Sequence, residues 1–255
     1  MSSIDEKRVY GDRKGTTTVY VATELGVARV EVSADIVGEF SIAHRCVARD
    51  VAGTDGRIAV ATDEDVLDRE FAPLDFGSAV AVGFDGDDLI AAGPDGRLAR
   101  YDDRWRELAS LDDVRAIDGD LVATADGVYR LSGDGVRHVG LDDARDVATA
   151  GVPLAATADG LYRLGNGWMD AAAGDFRVVS ATDERAYAAT GDAFFVRDGD
   201  EWREASLPVA EPVVDVAFGD GVYAATESGA FLATVGDGWR SRHLGLTGVS
   251  ALAVR

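Results

Sequence analysis

The residues whose chemistry most needs placing are a set of arginines and aspartates that recur in similar short runs. Arg49-Asp50 and Arg145-Asp146 each occur in the run Ala-Arg-Asp-Val-Ala, Asp215 sits in Val213-Val-Asp-Val-Ala217, and Arg115 and Arg177 fall at the same level of two further runs. A guanidinium presents a fixed fork of donors that suits a carboxylate or phosphate. A carboxylate can accept from cations or exchange protons. Around one opening, such residues form either a ligand-binding mouth or a set of ion pairs that hold the surrounding elements in place. The ion-pair role is the expectation, with ligand binding as its alternative.

Other reactive types are sparse. His44, His138 and His243 belong to the residue type that most often ligates zinc or moves protons near neutral pH. Cys46 is the only cysteine, so an intramolecular disulfide is impossible, and a small buried apolar residue is expected there. The stretch Gly219-Asp-Gly-Val-Tyr-Ala224 matches the dinucleotide-binding fingerprint letter for letter. That motif works only where a helix N-terminus follows to receive the pyrophosphate, and here a strand-like run follows. Asp85-Gly-Asp-Asp88 and Asp198-Gly-Asp-Glu201 carry oxygens that suit calcium but lack the remaining positions of an EF-hand loop, and they read as solvated turns.

The elements that must position these groups come from an internal repeat. Small or apolar residues followed by Ala-Thr, two turn residues and another apolar run occur at Val21-Ala-Thr23, Val60-Ala-Thr62, Val122-Ala-Thr124, Ala155-Ala-Thr157, Ala188-Ala-Thr190 and Ala224-Ala-Thr226. Ala91-Ala-Gly93 is a seventh copy with glycine in place of threonine. The anchors are 39, 31, 31, 33, 33 and 36 residues apart, the period of a propeller blade. Ala123-Thr-Ala-Asp-Gly-Val-Tyr-Arg-Leu131 and Ala156-Thr-Ala-Asp-Gly-Leu-Tyr-Arg-Leu164 read as second and third strands joined by a tight turn, in which Asp-Gly would supply positive φ. A fourth strand opens on Trp105, Trp168, Trp202 or Trp239, with Phe71 and Val136 as counterparts, and one shared repeat position points to packing between blades. The Arg/Asp runs precede the anchors and so form the innermost strands.

The expected fold is therefore all-β: a seven-bladed propeller of four-stranded antiparallel blades. A polar extension covers residues 1–15, and the blades span about 16–45 with 248–255, then 46–77, 78–111, 112–141, 142–174, 175–208 and 209–247. The first anchor lacks an inner strand before it, and the chain finishes on the unattached run Val249-Ser-Ala-Leu-Ala-Val-Arg255, which is expected to close the first blade. In this frame Arg49, Asp50, Arg115, Arg145, Asp146, Arg177 and Asp215 gather at one mouth of the central channel. The three histidines fall on the outermost strands of different blades and do not converge on a metal ion.

The run Val222-Tyr-Ala-Ala-Thr-Glu-Ser-Gly-Ala-Phe231, followed by Gly236-Asp-Gly-Trp-Arg240, resembles the repeat of Asp-box (BNR) propellers and of sensor-type regulator propellers. The likeness extends over residues from about 16 to 255. An Asp-box reads Ser-x-Asp-x-Gly ahead of its aromatic residue, and Thr234-Val-Gly-Asp-Gly-Trp239 is the nearest approach. The chain is also similar to a haloarchaeal group of propellers with which no activity is associated. The resemblance implies the fold. Sialidase-like Asp-box enzymes would imply an arginine cluster with a tyrosine nucleophile, but in so acidic and arginine-rich a chain those types coincide by chance. Calcium-dependent lactonase propellers draw on asparagine, and Asn166 is the only one here.

Composition narrows the partners. Asp and Glu number 46 against 25 Lys and Arg, the net charge is −21, and Lys7 and Lys14 are the only lysines. Such a surface repels phosphate backbones and anionic lipids, so nucleic acid and membrane are unsuitable partners. It resembles the composition of proteins that fold in molar salt, where the Debye length shrinks to about 3 Å and self-repulsion is screened, with an unusually acidic mesophilic protein as the alternative. Neither a signal-like N-terminus nor a run long enough to span a membrane is present, and a cytoplasmic protein is the expectation. The functional expectation is a monomeric, non-enzymatic, cofactor-free scaffold for another protein. A small-ligand sensor or degenerate Asp-box-type hydrolase acting at the channel is the alternative.

Overall fold

The Ala-Thr repeat marks the place where a hydroxyl closes a turn. Thr157 is 2% exposed. Its Oγ1 donates to the Gly160 carbonyl at 3.0 Å and accepts from the Asp159 and Gly160 N–H groups at 3.1 Å. Thr23, Thr62 and Thr124 donate in the same way to a carbonyl three residues on. The hydroxyl bonds backbone at six of the seven second-to-third-strand turns, so a buried turn keeps its backbone groups satisfied. Positive φ accompanies the turn in four blades, at Gly26, Gly96, Gly127 and Gly229, but is not required by it: Gly127 has φ 116°, whereas Gly160 in the near-identical copy lies outside that region. In the third copy Gly93 leaves room for the Asp95 carboxylate, which would lie 2.5 Å from an added Cβ and which accepts the Arg97 N–H.

A computed structural model describes residues 15–33, 36–235 and 238–255, and these form seven antiparallel sheets. The innermost strands are Ala251–Val254, Ala48–Thr54, Ala81–Asp85, Val114–Asp118, Ala144–Ala148, Phe176–Ala181 and Val213–Phe218, belonging to blades 1 to 7 in that order. Each touches the inner strand of the next blade, and the seventh returns to the first, so the sheets close into a ring. The seven-bladed all-β architecture is as the repeat implies. Positions 1–14 of the polar extension lie outside the described residues.

Blade 2 departs from the four-stranded plan. Its sheet has three strands, the outer one only Val66–Leu67, followed by a single bridge from Leu67 to Pro73. Residues 68–80 take the place of a fourth strand and are held by carboxylates. Asp68 accepts from Glu70 and Ala72, and Asp65 from Asp75, Phe76 and Gly77. Phe71 therefore reaches the blade interface from a loop, stacked on His44 of blade 1 with ring centroids 5.2 Å apart. The tryptophans pack between blades: Trp105 and Trp168 donate Nε1–H to Leu74 and Val139 carbonyls of the preceding blade at 2.8 and 3.0 Å. Trp239 stands edge-on to Tyr187 and Phe194 of blade 6. Cys46 is only partly buried, a correction to the buried residue expected, and its thiol is pushed up by burial and by Asp63 nearby.

The C-terminal strand closes blade 1, pairing Val254, Ala253, Leu252 and Ala251 with Val19, Tyr20, Val21 and Ala22. Ala251, Leu252 and Ala253 are at most 5% exposed, and a buried leucine contributes roughly 1.5–3 kcal/mol relative to an exposed one. Arg242 of blade 7 also donates to the Val37 carbonyl of blade 1 at 2.8 Å, so the closing junction is fastened at rim and centre. Deleting Ala251–Arg255 strips the inner edge of blade 1 and its contact with blades 2 and 7. Calorimetry is expected to show a loss of the cooperative transition, and an unchanged midpoint in the truncated protein would contradict closure.

Candidate functional site: the central channel

An inner strand of a propeller has a neighbour on one side only, and its other edge looks into the channel. At one level of the ring the seven equivalent residues are Leu252, Val51, Val82, Ile117, Val147, Val179 and Val216, each opposite the residue two before the repeat anchor. Their edge N–H groups need acceptors, since an unpaired backbone donor away from water is costly. Asp50 accepts from Val51 of its own strand and from Val82 of the next blade, at 2.8 and 2.9 Å. Asp146 spans Val147 and Val179 at 2.9 and 2.8 Å. Asp215 spans Val216 and Leu252 of the closing strand, both at 2.6 Å. Three carboxylates thus cap six of the seven donors and tie blade 2 to 3, 5 to 6 and 7 to 1.

The arginines owe their position to β-bulges. The inner-strand register slips at Ala48/Asp50, Val114/Ala116, Ala144/Asp146 and Phe176/Val178, leaving Arg49, Arg115, Arg145 and Arg177 as the extra residues. A bulge frees its residue from strict alternation and re-aims the side chain. Arg115 binds Asp113 at 2.9 Å and Asp143 at 2.5 Å, Arg145 binds Asp175 and lies 3.7 Å from Asp143, and Arg177 lies 3.5 Å from Asp175. The result is an alternating chain of charges across blades 4, 5 and 6. Each half-exposed pair contributes little alone, about 0–1 kcal/mol, but the network orders one side of the mouth.

The channel is a cavity of about 650 Å³ lined by Asp50, Asp146 and Asp215 at the capping level and by Arg115, Arg145 and Arg177 towards the mouth. Arg49 is exposed and stands outside that lining. The arginines and aspartates singled out in the sequence thus do not pair with each other. The arginines pair with Asp113, Asp143 and Asp175 of the blade connections, and the aspartates bind backbone. Asp113 and Asp143 each sit two residues before a bulge arginine, a spacing visible in sequence but unremarkable among so many acids. His44, His138 and His243 lie at the outer strands of blades 1, 4 and 7. Gly219–Gly221 forms the turn between the first two strands of blade 7, with strands on both sides of the dinucleotide-like motif.

Desolvation in the channel wall, where they are partly buried and have no cation bonded to them, raises all three capping carboxyls above the ordinary carboxylate range. Asp50 rises to about 6, with its two backbone bonds opposing. Asp215 rises to about 7, with the Asp50 charge adding to burial. Asp146 rises well above its usual value, with Asp215 and Asp118 contributing. A raised carboxyl binds its proton more tightly in the folded state than in the unfolded chain, so folding gains from protonation and loses as pH climbs through the folded pKa. In molar KCl, which screens the general surface repulsion, the melting midpoint is expected to fall between pH 5 and pH 8. The fall should shrink in Asp215→Asn; a flat or rising midpoint would contradict this.

Comparison with known proteins agrees with the architecture. The model of the HVO_0234-like beta propeller family matches residues 3–255. No curated protein matches the chain. Among solved structures, the chain is similar to the computationally designed Ika8 protein, with 14% identity, a TM-score of 0.63 and coverage of 94% of this chain and 91% of that one. It is similar to YCF48 bound to D1 peptide, with 17% identity, a TM-score of 0.58 and coverage of 77% and 80%. It also resembles the extracellular domain of BT4673 from B. thetaiotaomicron, with 12% identity, a TM-score of 0.61 and coverage of 82% and 37%. At such identities these likenesses concern the fold.

Proposed function

We propose that this chain, which belongs to the HVO_0234-like beta propeller family, is a non-enzymatic scaffold that binds another protein on the face carrying the arginine mouth. The observation that supports this reading is how the channel's charged groups are used. Asp50, Asp146 and Asp215 are taken up by backbone donors of adjacent blades, and Arg115, Arg145 and Arg177 by rim carboxylates. Groups engaged in this way stiffen the ring more readily than they turn over a substrate. What remains for recognition is a rigid face of tight turns around a charged mouth, and the partner is a protein rather than an anionic polymer. YCF48, alike in fold, is seen with a peptide bound, which is in keeping with the proposal. The protein acts as a monomer in the cytoplasm, at an ionic strength that screens its −21 charge.

The 650 Å³ cavity favours a second reading, a small-ligand sensor or degenerate hydrolase working inside the channel. One experiment separates the two. Affinity purification of the tagged protein in molar KCl, followed by mass spectrometry, is expected to yield one stoichiometric protein partner. Arg177 is the most exposed of the three lining arginines, so Arg177→Glu should abolish capture without moving the melting midpoint. No partner, together with a thermal shift on adding small metabolites, would favour the second reading.

A further inference from the structure

Seven is odd, and each capping aspartate serves two blades. Three aspartates therefore leave one blade over, and that blade is the fourth. Ile117 holds the seventh equivalent position, opposite Val122, and Ala116 stands where blades 2, 5 and 7 carry aspartate. Among the described residues no side chain accepts the Ile117 N–H. The cavity reaches Ala116 and Ile117 directly, and Arg115 and Arg145 line it on the same two blades.

Both guanidiniums keep unused donors. Of five N–H groups each, Arg115 spends Nε and one Nη on Asp113 and both N–H groups of the other Nη on Asp143 and the Ala144 carbonyl, which leaves it one, while Arg145 uses one Nη on Asp175. The channel thus holds one backbone donor of the kind that elsewhere in this ring takes a carboxylate, without an acceptor among the described residues, in a cavity whose lining includes Arg115 and Arg145.

We infer that blade 4 is a carboxylate-binding subsite, in which an acidic side chain or C-terminus of the bound partner caps the Ile117 N–H between Arg115 and Arg145. This rests on the scaffold reading for the source of the carboxylate, but the subsite can be tested without any partner. Two lining acids on the same two blades bound its geometry. Asp118, the next residue, is turned towards Thr149, accepting its N–H at 2.6 Å and its hydroxyl at 2.7 Å. Asp146 is tied to Val147 and Val179. Asp55 and Asp87 line the opposite end of the channel, so a carboxylate from outside enters from the arginine mouth.

The experiment uses acetate on the intact protein. Potassium acetate replaces potassium chloride at constant potassium while the ¹⁵N–¹H spectrum is followed. The Ile117 amide is expected to shift saturably, with the six aspartate-capped amides unmoved, and Arg115→Ala should weaken binding by about tenfold. Ala116→Asp supplies the missing carboxylate internally and should abolish the acetate response while raising the melting midpoint. An Ile117 amide indifferent to acetate, or a response that persists in Ala116→Asp, would overturn the subsite. Acetate binding without capture of a partner would leave the subsite standing and count against the scaffold reading alone.

Discussion

Seven strand edges face one another across the central channel, and their backbone donors need acceptors there. That constraint organises the centre of this protein. A sheet edge exposes backbone donors in a row, and a propeller brings seven such rows together. The solution here is sparing: an aspartate on every second or third blade, each spanning its own strand and the next. The same three carboxylates that satisfy the backbone also set the spacing between blades, including the junction at which the C-terminal strand closes the ring.

Two further features follow from that arrangement. The bulge two residues before the channel-facing amide turns an arginine towards the mouth in blades 4, 5 and 6, and the connecting loops supply the aspartates that neutralise it. Inside, the carboxylates sit near one another with only backbone donors as partners, which holds their protons well above the usual range. The mouth is thus a balanced chain of charges and the lumen a ring of carboxyls whose burial raises their pKa, in a chain that is otherwise strongly acidic.

Much of this was legible in the sequence because it repeats. The Thr anchors at 23, 62, 124, 157, 190 and 226 give the blades and the shared tryptophan position. The final run, Ala251–Val254, identifies the closing strand. What sequence did not carry was the partner of each charge. Asp146 next to Arg145 reads as half of an ion pair, and only the bulge, which parts them, shows that one goes to backbone and the other to Asp175. Nor did blade 2 announce its missing strand, because the Asp65 and Asp68 bonds that let residues 68–80 replace it look like any acidic loop. The uncapped Ile117 was visible in principle as an alanine at 116 where other blades have aspartate, but alanine has meaning there only once the donor opposite is known.

Amide hydrogen exchange tests the capping arrangement most directly. The amides of Val51, Val82, Val147, Val179, Val216 and Leu252 are predicted to exchange slowly for channel-facing groups, while Ile117, at the same level and without an acceptor, exchanges much faster. Equal protection at all seven positions, or fast exchange at the six, would contradict the account.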